Sequence, residues 1–135
     1  MRRLLAVALV LAAACGGDTT TGPTVQQQIT GTWSLSTVNG SALPFTIAQT
    51  GTNKVELVSD VFVVASTGSF TQTTTVRTTI NGVVTTQSVA DAGTYTVSGT
   101  AITLHFNSDG STGTASFSGN TFTTTDGGLA LVYRR

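Results

Sequence analysis

The sequence predicts an all-β fold, an antiparallel up-and-down meander closed into a small barrel of about eight to ten strands, with a β-sandwich as the alternative. Three observations carry this expectation. Threonine supplies 29 of the 135 residues, and β-branched and aromatic residues fill the stretches between glycines, a composition that suits pleated surfaces. Turn signals recur at short intervals, among them Asn39-Gly40, Asn81-Gly82, Gly93, Ser98-Gly99, Asp109-Gly110, Gly119-Asn120 and Asp126-Gly127-Gly128. No segment combines a helical apolar period with a cap and a stop.

The first element is not part of the fold. Met1-Arg2-Arg3 is a basic cap, Leu4 to Ala14 is an unbroken apolar run, and Cys15 follows three alanines. A run this short cannot span a bilayer as a permanent helix, so residues 1–14 are predicted to be a signal peptide. The stretch Leu11-Ala12-Ala13-Ala14-Cys15 resembles a bacterial lipobox, with Ala12 where the usual pattern has leucine. That resemblance implies a lipid on Cys15, a membrane as the partner it anchors to, and an address in the bacterial cell envelope, at the outer membrane or its periplasmic face. Cys15 is the only cysteine, which rules out a disulfide within the chain.

From Gly16 to Gln28 the residues are glycine, threonine and glutamine-rich without an apolar period, so 15–28 is expected to be a lipidated cysteine followed by a flexible linker. Loss of residues 1–14 leaves Lys54, Arg77, Arg134 and Arg135 against six acidic residues, a net charge of about −2. With no basic patch, nucleic-acid binding has no electrostatic footing.

Residues 29–135 are long enough for one domain and too short for two cores. Strands are expected at 31–38, 43–49, 54–59, 61–66, 69–80, 83–90, 93–98, 101–107, 113–118, 121–125 and 128–134. Alternation then sends Trp33 and Leu35, Phe45 and Ile47, Val55 and Leu57, Tyr95 and Val97, Ile102, Leu104 and Phe106, Ala115 and Phe117, and Leu129, Leu131 and Tyr133 inward. The same rule places Arg134 on the outer face. Val61 to Ala65 is apolar on both faces, and cover by the linker or a loop is expected over Phe62 and Val64.

Gly31-Thr32-Trp33, at the start of the first strand, looks like the opening motif of the lipocalin and calycin barrels, and the whole chain resembles a small bacterial lipocalin-like lipoprotein. In those families the tryptophan plugs the closed end and an arginine of the last strand covers its indole. The resemblance therefore implies a barrel base built from Gly31, Trp33 and Arg134. Ile29 to Trp33 is also similar to the first strand of streptavidin, whose biotin pocket is walled by several tryptophans, whereas this chain has one. Residues 31–44 are similar to the start of the META domain, without its Gly-Cys-Asn motif.

A long strand over 69–80 that buries Phe70, Val76 and Ile80 also turns Gln72, Thr74 and Thr78 inward. Polar groups in a sealed core must find partners, so these three, with Tyr95, are the candidate lining of a cavity for a small apolar or amphiphilic ligand. Chemistry of other kinds is poorly supplied. His105 is the only histidine and sits on the polar face of its strand, no pair of carboxylates shares a strand face at short spacing, and no metal-ligand spacing occurs. No catalytic residue, metal or cofactor is assigned, and a monomer is expected. Two functions remain open: a tethered binding module, or a structural or interaction lipoprotein with a filled barrel or sandwich and no ligand, whose outer face meets another envelope component.

Overall fold

The computed structural model describes residues 22–135, and the predicted signal peptide, Cys15 and the first part of the expected linker lie outside them. A short helix, α1 (Val25–Ile29), is followed by ten strands: β1 (Gly31–Val38), β2 (Ser41–Ala42), β3 (Phe45–Thr50), β4 (Asn53–Val64), β5 (Ser69–Ile80), β6 (Val83–Ser98), β7 (Ala101–Phe106), β8 (Thr112–Ser118), β9 (Thr121–Asp126) and β10 (Leu129–Arg134). The meander is antiparallel throughout. The ring closes where β1 pairs with β4, Gly31 to Ser34 against Val64 to Val61, so eight strands form the barrel and β2 and β3 extend it. Closure of the eight-stranded ring excludes the sandwich alternative, although strands that rise past the ring keep free edges.

The barrel has a low wall and a tall wall. Strands β7 to β10 contain 6 or 7 residues each, whereas β4 and β5 contain 12 and β6 contains 16. At one end the strands converge on Trp33. At the other, the outer halves of β4, β5 and β6 rise past the short strands and, with β3, form a projecting apron.

Two apparent turns lie inside strands. Gly93 is in the middle of β6, where an added Cβ would stand 2.1 Å from the His105 carbonyl oxygen and 2.6 Å from the Phe70 ring. Glycine is needed there because the Phe70 ring and the His105 carbonyl occupy the space a side chain would take. Asp60 likewise sits within a single β4 that replaces the expected strands 54–59 and 61–66. A bulge between Leu57 and Ser59 shifts the alternation, so Val55 and Leu57 point inward before it and Asp60, Phe62 and Val64 after it.

This shift settles the stretch that is apolar on both faces. Phe62 and Val64 are core residues, not an outer patch under a linker, and Val63 faces out at 47% exposure. Most of the remaining inward set is buried or packed against the core as expected. The exceptions are Ile47, 48% exposed in a second bulge between Thr46 and Ala48 of β3, Ile80, 53% exposed at the end of β5, and Val55, which is only half-buried on the apron.

The stretch expected to be linker ends in structure. Thr24 caps α1 by accepting from the Gln27 backbone N–H, while the Gln27 side chain accepts from the Thr24 N–H. That reciprocal pair satisfies two of the donors a helix start leaves open. Ile29 is buried, Val25 packs on the core, and Gln26 donates to the Ser66 carbonyl at 2.6 Å. A five-residue helix escapes a search for periodicity, because one turn carries almost no period.

Candidate functional site

The closed end is built around Trp33, which is fully buried. Its indole N–H donates to the Ile29 carbonyl at 2.7 Å, so the end of α1 receives the one polar group of the ring. Phe117 meets it edge-on at 5.7 Å and Phe122 lies tilted at 6.0 Å. Gly31 adopts φ +134°, a backbone conformation closed to residues with a Cβ, and thereby turns the chain from α1 into β1.

Arg135, not Arg134, covers the indole. Its guanidinium carbon stands 4.7 Å from the ring centroid, and Nη1 donates to the carbonyls of Gln28 at 2.8 Å and Thr30 at 3.5 Å. Strict alternation sends Arg134 outward, where it is exposed, and leaves the next residue to fold back over the base. The arginine that the family resemblance implied is therefore present one position later. It joins the chain's end to the helix and the plug in one contact.

From this base a run of aromatics climbs the interior. Tyr133 and Phe122 lie 5.6 Å apart, Tyr133 and Phe62 5.2 Å, Phe62 and Phe70 5.4 Å, and Phe70 and Phe106 5.2 Å. Edge-to-face geometries dominate, which suits the ring quadrupoles. Above them the filling stops.

An open cavity of about 530 Å³ occupies the upper half of the barrel. Its floor is Phe62, Phe106 and Tyr133, and Gln72 and Thr74 stand on its tall side. Thr78, a third candidate, lies higher on the apron and borders a separate shallow groove with Ile80. Tyr95, the fourth, belongs to the closed end: its hydroxyl donates to the Ala65 carbonyl at 2.7 Å, and burial raises its pKa while Gln26 and Thr30 lie within reach. Two of the four candidate lining residues are thus at the cavity and two are not.

Gln72 and Thr74 are held by a residue that the sequence reading passed over. Asp60 is 3% exposed, and its carboxylate accepts from Gln72 Nε2 at 2.6 Å, Thr74 Oγ1 at 3.2 Å and the Tyr133 hydroxyl at 2.7 Å. Burial pushes this carboxyl above the ordinary aspartate range, against the pull of those three donors and the Val61 N–H. Tyr133 is pushed up as well, first by burial and then by the Asp60 charge, so its phenol stays protonated and donates. The signal was in the sequence: Asp60 stands two residues before Phe62 in an apolar run and, on the phase of Phe62, faces the core.

The rim is acidic. Asp91, Asp109 and Asp126 all border the cavity, and among the described residues no lysine or arginine does. Asp91 accepts from the Ser108 hydroxyl at 2.6 Å, and Asp109 accepts from the Ser111 N–H at 2.8 Å, which with the Ser111 hydroxyl lowers its pKa. The cations are elsewhere. Lys54 and Arg77 both pair at 2.9 Å with Glu56 on the outer face and hold its carboxyl below the usual range, Arg77 most strongly.

His105 is exposed on the outer face of β7. Among the described residues no three histidine, cysteine or acidic side chains approach closely enough to hold a metal ion. Comparison with protein-family models, with curated proteins and with solved structures returned no match to this chain. The architecture is nonetheless that of a closed eight-stranded antiparallel barrel with a plugged base, which is consistent with a lipocalin-like fold.

Proposed function

We propose that this protein is a lipid-anchored envelope lipoprotein whose barrel binds one small apolar or amphiphilic molecule in its open half. The observation that carries this reading is the cavity itself. A barrel of eight strands is wide enough either to fill with side chains or to hold one small ligand, and this one is filled below Tyr133 and leaves open space above it. A volume of about 530 Å³ falls in the range of small-molecule sites. Its aromatic floor, polar side and acidic rim match an apolar body with a neutral or cationic polar end, and disfavour an anionic one.

The anchor rests on the apolar run that ends in three alanines before Cys15. The residues between Cys15 and the cap Thr24 set the domain a short distance from the membrane. Native mass spectrometry of the protein extracted from its own cells tests the cavity: a retained mass that is lost on unfolding is expected, and an empty barrel that also fails to take up any member of an amphiphile panel would overturn binding. Cys15→Ser followed by cell fractionation tests the anchor. Release from the membrane pellet is expected.

A further inference from the structure

The apron of the tall wall ends in a strand that is open along one side among the described residues. β7 pairs with β6 only from Gly93 to Ser98, so the first part of β6, from Val83 to Ala90, has β5 on one side and, among the described residues, no partner on the other. All eight residues are exposed, with Val83 at 66%, Val84 at 59% and Val89 at 64%. None is charged, none is proline, and the pairing with β5 runs from Ser69 to Ile80 without a bulge. The usual devices that protect an edge strand are missing here.

The opposite edge of the same apron is protected. β3 is 6 residues long and carries the bulge between Thr46 and Ala48. A bulge bends an edge and breaks its row of hydrogen-bonding groups. Edge-to-edge growth through both sides would make a filament. With only one side competent, two copies meeting through β6 close on themselves.

We propose that Val83–Ala90 is a homodimer interface, in which the free edges of two copies pair antiparallel and join their aprons into one continuous sheet. The pairing can be derived. β5 and β6 are joined by the two-residue turn Asn81-Gly82, both with positive φ, so Ile80 and Val83 form the hydrogen-bonded pair that closes the hairpin. Alternation then directs the N–H and C=O of Val84, Thr86, Ser88 and Ala90 to the free side. Ala92, next in that series, confirms the phase: its carbonyl accepts from the Asn107 N–H on the β7 side.

A two-fold axis at Gln87 sets Val84 against Ala90 and Thr86 against Ser88 of the partner, with every outward group paired. No charged residue faces another anywhere in the ladder, and on the inner face Val89 of each copy lies against Thr85 of its partner. The dimer replaces the expected monomer. A heterologous peptide in the same edge is the competing occupant, and the experiment separates them.

Sedimentation velocity of the full chain in a mild detergent reads the oligomeric state, with twice the chain mass expected. A wild-type protein that stays monomeric at the highest workable concentration overturns the proposal and leaves the edge to another partner. Thr86→Pro removes an N–H that points away from its own sheet and is expected to yield monomer with an unchanged tryptophan spectrum. Should that variant fail to fold, Val84→Lys, whose side chain is exposed on the outer face, is read in its place. A folded variant that remains dimeric overturns the proposal.

Register is read separately by Gln87→Cys in the full chain in its own membranes. Residue 87 faces itself across the axis as a non-hydrogen-bonded pair, with Cα atoms about 4.5 Å apart, within the range a disulfide accepts. A band of twice the mass on non-reducing gels is expected, absent in the unsubstituted chain and in Gln49→Cys on β3. Equal cross-linking from Gln49→Cys places the contact elsewhere and counts against β6.

Discussion

The two ends of this barrel treat polar groups in opposite ways. At the base, the Trp33 N–H, the carbonyls of Gln28 and Ile29 and the Arg135 guanidinium each meet a partner, and the rings of Phe117 and Phe122 fill what is left. At the mouth, the polar groups of Gln72 and Thr74 are gathered onto one buried carboxylate at the side of an open cavity. One end is closed by packing and the other is held open by a polar network. The difference teaches that close packing and open space are assigned to separate halves of the same eight strands, so substitutions at the two ends should have separable effects.

The largest expected effect is at the base. Trp33→Ala removes a side chain of about 150–250 Å² and should cost roughly 3–5 kcal/mol, measured by denaturant unfolding. A domain of this size has about 5–15 kcal/mol in all, so the variant will be close to unfolding. If instead it melts near the wild type, the base is not what closes the barrel.

A second way to break the comparison is truncation. A chain that begins at Gln28 loses Thr24, Val25 and Gln26, and with them the capping box, the contact with Ser66 and part of the cover over the plug. Loss of a cap alone costs about 1 kcal/mol. The expected fall in stability exceeds that, whereas removal of residues 16–21 should leave the melting temperature unchanged. A truncation at Gln28 that melts like the longer chain would show that α1 is only attached to the barrel and not part of it.

A smaller effect is expected from Arg135→Met, which keeps an unbranched stem and removes the cation. Its loss should be about 0.5–2 kcal/mol, and should nearly vanish when Trp33 is already alanine. Arg134→Met, whose side chain is exposed, should cost almost nothing. Equal losses at the two positions would undo the assignment of the cover to Arg135.

How much of this was legible in the sequence follows the same division. The meander and the inward phase of most strands, Trp33 included, are local patterns that alternation with turn chemistry reads directly, whereas the plug role of Trp33 came only from the resemblance carried by Gly31-Thr32-Trp33. What was missed depends on contacts distant in the chain. Gly93 looks like a turn until the ring of Phe70 is placed against it. Asp60 looks like a turn until Tyr133, 73 residues later, is seen to donate to it. The outward phase of Arg134 was readable and pointed to its neighbour, but only the folded end shows Arg135 turning back. Of the cavity, Gln72 and Thr74 were legible because polar residues sat on a core-facing phase. Thr78 shares that phase yet lies beyond the low wall, and strand height is not written in alternation.

The smallest effect in stability, and the sharpest test of the open end, is Asp60→Asn. Burial raises the Asp60 carboxyl above its ordinary range, so the folded barrel binds this proton more tightly than the unfolded chain does. Its contribution to stability is present in full below the unfolded aspartate value, about 3.9, and is lost as pH rises through the raised folded value. Asparagine keeps the shape and carries no charge. Its carbonyl can accept from Tyr133 and Gln72, and its amide can donate to the Thr74 hydroxyl in place of the bond that Thr74 now donates. At neutral pH the exchange should therefore be neutral to stabilising, and the wild-type loss of stability between acid and neutral pH should flatten in the variant. Asp60→Ala, by contrast, leaves the Tyr133 hydroxyl and the Gln72 amide without their acceptor and should cost about 1–3 kcal/mol for each group left unpaired. If the asparagine and alanine variants lose the same stability, and the pH dependence of the wild type survives in both, the carboxylate is not what holds the mouth open.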